Sequence, residues 1–164
     1  MKKPGFTLIE SIAAVMVMTI IFFVFAAYIS AGFESWRFIG GQKGMVLEGR
    51  AALNRLMREF KLINGNANIT VFTTTEVRFK DIDNLTVDIS QEGSYLRRGN
   101  GVSSDSLLDN LPSPGGLVLT YLDTNEAVTN IRDNIVVIRA KITTIKGENR
   151  VVLQSAARLR VKKI

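Results

Sequence analysis

The residues best able to do chemistry in this chain stand at its start. Lys2, Lys3, Gly5, Phe6 and Glu10 precede an uncharged stretch from Ser11 to Phe33. Lysines on the short side of an apolar segment orient it, keeping that side in the cytoplasm. Glu10 is a lone carboxylate at the head of hydrocarbon-like sequence, where an unpaired charge is expensive and so needs a partner. Elsewhere the repertoire is thin. The chain has no histidine and no cysteine. That removes the commonest general base, the Ser-His and Cys-His arrangements, thiolate metal sites and disulfides. No G-x-x-x-x-G-K-[ST] phosphate loop occurs. Neither catalysis nor a cofactor is expected.

Two further groups of charged residues read as solvent-facing. Asp81, Asp83 and Asn84, with Asp105 and Asp109 nearby in sequence, offer oxygen ligands. Calcium-loop spacing and its closing glutamate are missing, so these are expected to be loop acids and no metal site is assigned. Arg97-Arg98 and the basic tail Arg158, Arg160, Lys162, Lys163 are the places where DNA would be met. Only Tyr95 offers an aromatic platform there, which points to an ordinary charged face. The sequons Asn68-Ile69-Thr70 and Asn84-Leu85-Thr86 are short enough to arise by chance. The whole chain of 164 residues carries 21 basic and 15 acidic side chains, a net +6. Without Lys2 and Lys3 the count is 19 against 15, a net +4. This is a mild bias towards anions and not a nucleic-acid footprint.

The element that must position Glu10 is the apolar segment. About 20 helical residues cross a bilayer core, and Ser11–Phe33 is long enough. Tyr28 and Trp36 suit the interfaces. A secretory signal has a shorter apolar core and a small-residue cut site; here Ile29 spoils the best such site, ending at Ala31. A plain signal anchor accounts for the length and the lysines but leaves Glu10 and Gly5-Phe6 unexplained.

The run Lys2-Lys3-Pro4-Gly5-Phe6-Thr7-Leu8-Ile9-Glu10-Ser11 resembles the class III leader of type IV prepilins and type II secretion pseudopilins. The resemblance implies a leader at 1–5, cut between Gly5 and Phe6 by a prepilin peptidase, and N-methylation of Phe6. It implies a transmembrane and later filament-core helix at 6–35, held in membrane lipid before assembly. The N-terminus would be cytoplasmic and the head beyond the inner membrane. Cleavage creates a cation at Phe6, and methylation keeps it. Glu10, about one turn away, complements the positive end of the helix. Its implied assembly role is to meet a neighbouring subunit's Phe6 amine, since unpaired charges among apolar helices penalise wrong registers.

Residues 36–63 are expected to continue the helix, with a glycine-rich joint at 40–49. Gly40, Gly41, Gly44 and Gly49 are the soft points in a stem without proline. Leu53, Leu56, Met57, Phe60 and Ile63 fall on one helical face, fit for a domain core. Asn64-Gly65-Asn66 is expected to stop the helix with Gly65 in a left-handed cap. The remainder, 64–164, reads as a β-rich head. Strands are expected at Ile69–Phe72, Val77–Phe79, Leu85–Ile89, Ser94–Arg97, Leu117–Leu122, Asn134–Ile145 and Val151–Val161. Gly99–Pro114 is read as mainly loop, and Lys146–Asn149 as a hairpin connection. The fold class is α+β: a long N-terminal helix with an antiparallel sheet packed on its C-terminal half.

The segment Arg50-x-x-Leu53-x-Arg55-Leu56-x-Arg58-Glu59-Phe60 is similar to the equivalent helix of J-type pseudopilins and W-type minor pilins. That resemblance implies a minor subunit near a filament tip, in a complex that primes assembly. Its partners would be other pilin subunits and the inner-membrane assembly platform. A J-type pseudopilin of type II secretion and a membrane-anchored binding module that never polymerises are the alternatives.

Overall fold

The computed structural model describes residues 7–160. The chain divides into two compact units, Met1–Gly41 and Gln42–Ile164. A single helix, α1, runs Leu8–Lys61. Within the first unit every described residue is exposed, including Phe22, Phe25 and Trp36. Helical hydrogen bonding passes through the glycine-rich stretch without a break.

In the second unit the end of α1 carries the predicted apolar face. Met45, Ala52, Leu53, Leu56, Met57 and Phe60 are buried on it, and Ile63 follows just beyond. Gly49 lies on the same face, and a Cβ there would stand 2.6 Å from Leu153 Cδ1. Gly49 is therefore a close-packing position. The helix ends by tightening: Leu62 N donates to Glu59 O at 3.0 Å and Ile63 N to Phe60 O at 3.3 Å. The expected left-handed cap is not what stops it. Gly65 has φ 90 and ψ 157, an extended mirror-image conformation open to glycine, and it leads into a short 3₁₀ turn at Asn66–Asn68.

Among the described residues eight strands follow: β1 Ile69–Phe72, β2 Glu76–Lys80, β3 Thr86–Glu92, β4 Tyr95–Gly99, β5 Ser104–Leu108, β6 Leu117–Leu122, β7 Val137–Lys146 and β8 Asn149–Arg158. They form two antiparallel meanders, β1-β2-β3-β4-β5 and β6-β7-β8. The α+β class, with antiparallel sheet packed on the helix, is as expected; the split into two sheets is new. β5 falls where the turn chemistry of Ser104, Asp105 and Ser106 predicts a loop. It is an edge strand whose exposed half needs no apolar residues, and only its end at Leu108 is buried. The last hairpin is tighter than expected, with Lys146 opposite Asn149. β7 begins at Val137, after a 3₁₀ turn at Arg132–Asn134.

The core joins the helix to both sheets. Phe60 and Phe79 are fully buried and meet edge to face, with ring centroids 6.2 Å apart. Gln91 stitches the sheets where β5 gives way to β6. Its side-chain amide donates to Gly93 O and Pro112 O, both at 2.8 Å, and its carbonyl accepts from Leu117 N at 2.7 Å. Tyr121 Oη donates to Thr73 O at 2.9 Å across the same seam. Burial, and then the negative charge of Glu76, push the Tyr121 phenol well above its usual pKa.

Candidate functional site

The site begins with Thr7. Ser11 N donates to Thr7 O, the first helical bond, which makes Thr7 the N-cap of α1. Thr7 N and Oγ1 both donate to Glu10 Oε2 at 3.0 Å, and Glu10 N approaches Thr7 Oγ1 at 3.4 Å. Thr7-x-x-Glu10 is thus a capping box, in which one carboxylate oxygen satisfies an orphan N–H of the helix start. Sequence reasoning chose Glu10 for its charge and passed over Thr7. The signal was present, since a threonine three residues before a glutamate marks a helix start.

Beyond this cap the helix presents hydrocarbon. Its most apolar 18-residue window has a mean hydropathy of 2.7, and none of that window is buried. Its serine and threonine hydroxyls bond to the helix's own carbonyls. Thr19 Oγ1 donates to Val15 O at 2.7 Å, Ser30 Oγ to Ala27 O at 2.9 Å and Ser35 Oγ to Ala31 O at 3.0 Å. These serine and threonine hydroxyls do not depend on water, a condition that suits a helix in lipid or among other apolar helices, while Tyr28 keeps its phenol exposed. Each large apolar side chain kept in water forfeits roughly 1.5–3 kcal/mol, so the segment requires an apolar environment. This helix is long and apolar enough to span a membrane. Between Thr7 and Phe33, Glu10 carries the only charge. Lys2, Lys3, Gly5 and Phe6 lie outside the described residues.

The other predicted candidates belong to the second unit. Asp81 Oδ1 accepts from Asp83 N and Leu85 N, both at 2.9 Å, so it builds the β2–β3 turn. Asp109 accepts from Ser106 Oγ at 2.8 Å. Among the described residues no three Asp or Glu side chains gather as a metal cage. Arg97 and Arg98, adjacent on β4, point to opposite faces. Arg98 Nε donates to Glu59 Oε1 on α1 at 2.6 Å. Arg97 sits 5.7 Å over the Tyr95 ring, ion-paired with Glu92 at 2.9 Å. The two arginines are thus spent on separate contacts within the head.

The helix motif Arg50–Phe60 divides in the same way. Leu53, Leu56 and Phe60 are buried, Arg50, Arg55 and Arg58 are exposed, and Glu59 reaches Arg98. No protein-family model matches this chain, and no curated protein matches it either.

Proposed function

We propose that this chain is a structural, non-enzymatic minor subunit of a type IV pilus-like filament. It is cut between Gly5 and Phe6 by a prepilin peptidase, methylated at the Phe6 amine and held in the inner membrane by α1 until assembly. The observation that carries this reading is one exposed apolar helix whose sole charge before Glu34 is a glutamate in its first turn, followed by an α+β head. A plain anchor needs the apolar length but has no use for Glu10. The capping box adds a physical reason for that position: it holds the carboxylate at the helix start, one turn from where the new amine would form. In the filament, a neighbour's Phe6 amine is the partner this charge requires among apolar helices. The lack of histidine and cysteine supports a structural role.

The test is the mass of the native protein's N-terminal peptide. A methylated Phe6 is expected. An intact leader, or a different terminus, returns the chain to the class of non-polymerising membrane-anchored modules. Proteins that co-purify with the processed form then separate a pilus from a type II secretion pseudopilus, for which a J-type subunit would serve by the same physics.

A further inference from the structure

The three-stranded sheet carries a surface unlike the rest of the head. No acidic residue occurs in β6, β7 or β8; Asp123, just after β6, and Glu148, just before β8, stand in turns. In the register of β7 and β8, Arg139 stands opposite Ala156, Lys141 opposite Gln154, Ile145 opposite Arg150 and Val137 opposite Arg158. Paired residues share a face, so Arg139, Lys141, Arg150 and Arg158 lie together on the outer side. Ile138, Ala140, Ile142 and Ala157 point inward and are buried. Among the described residues, none of these four cations forms an ion pair, whereas Arg78, Arg97 and Arg98 of the other sheet all do.

β8 is also an edge, ten residues long. Leu159 N donates to Val136 O, so the odd-numbered residues of β8 direct their peptide groups to β7. The even-numbered ones, Arg150, Val152, Gln154, Ala156 and Arg158, direct theirs to the open side. An edge of this length is a template for another strand. Charge disfavours a second copy in the centred register. Antiparallel self-pairing centred on Gln154 puts Arg150 of each copy opposite Arg158 of the other, like charges placed face to face. In that register the edge repels its own copy and suits an anion.

We propose that β8 is a docking edge for an extended acidic polypeptide segment of a partner protein, which adds as a fourth strand to the β6-β7-β8 sheet. Main-chain bonds to the even-numbered residues give the pairing. Carboxylates on alternate residues of the incoming strand meet the Arg150, Arg158, Lys141 and Arg139 side. Arg150 and Arg158 are eight positions apart, about 26 Å along a strand, so the segment spans about nine residues. A polyanion held by charge alone would have no use for the open row of peptide groups. The proposal stands apart from leader processing, because it concerns the head alone.

The full chain in phosphatidylcholine nanodiscs is titrated with a fluorescent ten-residue peptide alternating glutamate and valine. A glutamine-for-glutamate peptide is the control, with a single-stranded oligonucleotide and phosphatidylglycerol vesicles as competing arms. The glutamate peptide should bind about ten-fold more tightly than its control. Binding should slow hydrogen exchange at the Val152 and Ala156 amides. Gln154→Pro removes an outward-facing donor while sparing the ladder to β7, and should abolish peptide binding. Arg150→Gln with Arg158→Gln changes only exposed side chains and should weaken binding about ten-fold. Absence of peptide binding overturns the proposal. So does binding that leaves β8 exchange unchanged or ignores Gln154→Pro. Oligonucleotide or vesicle binding that persists in Gln154→Pro and displaces the peptide overturns it too, by making the face a charge-only surface.

Discussion

Replacing Arg98 by methionine should destabilise the head more than any other single loss of charge in it. The Arg98–Glu59 pair ties β4 to α1 at 2.6 Å, and its side chains are only 26% and 12% exposed. The other ion pairs each include a side chain at least 34% exposed. Methionine keeps the length of the arginine stem but leaves the Glu59 carboxylate without a partner. Breaking a fully buried pair costs about 3–5 kcal/mol. Partial exposure lowers that to about 2–3 kcal/mol, because water still reaches Arg98's side of the gap. For a unit of this size the loss corresponds to roughly 8–15 °C in melting temperature. Adding Glu59→Gln removes the stranded charge and should restore about half of the loss, since most of the cost is the unpaired ion and not the missing attraction. Thermal unfolding of the full chain in detergent, followed by the near-ultraviolet signal of buried Tyr121, measures both variants. If Arg98→Met costs under about 0.5 kcal/mol, or Glu59→Gln gives no recovery, the reasoning fails.

Tyr121→Phe removes the bond to Thr73 O and should cost about 1 kcal/mol in the same assay. In the wild type, Tyr121 stays protonated in the fold beyond the pH where free tyrosine ionises. Its contribution is therefore fully present below pH ~10 and is lost as pH rises above that value, because only the unfolded state releases the proton there. Alkaline unfolding midpoints of wild type and Tyr121→Phe check the sign. Gly44→Ala meets no atom within 4 Å and should stabilise the helix by about 0.5–1 kcal/mol. Gly49→Ala meets Leu153 and should gain less, with the difference erased in a Leu153→Ala background. Glu10→Gln keeps a capping side chain but loses the charge, so it should insert in membranes yet fail to incorporate into filaments. Normal incorporation in a pilus-shedding assay would end the register role.

What could be read from the sequence follows the strength of each physical signal. The apolar stretch and the Leu53–Phe60 face were legible because burial in lipid or core imposes a pattern over many residues. β2, β3 and β6 were legible through β-branched and aromatic content. β5 was not, since an edge strand may be as polar as a loop and is defined by its partner β4. The division into two sheets was hidden because it depends on which strands pair, and β6 pairs with β7 while meeting the first sheet only through scattered bonds such as Leu119 N to Thr74 O. At the site, Glu10 stood out by charge, but its local partner Thr7 was missed although the capping spacing was visible. Gly49 was read for flexibility, whereas its neighbour Leu153 lies a hundred residues away in sequence and comes close only in the fold.

On the reading proposed above, an apolar helix headed by Glu10 becomes a processed, charge-matched filament core. Intact-mass and N-terminal peptide analysis of the native protein tests it most directly. The expected chain begins at Phe6 with one methyl group on its amine; a chain retaining Lys2 to Gly5, or beginning at any other residue, rules the processed-subunit reading out.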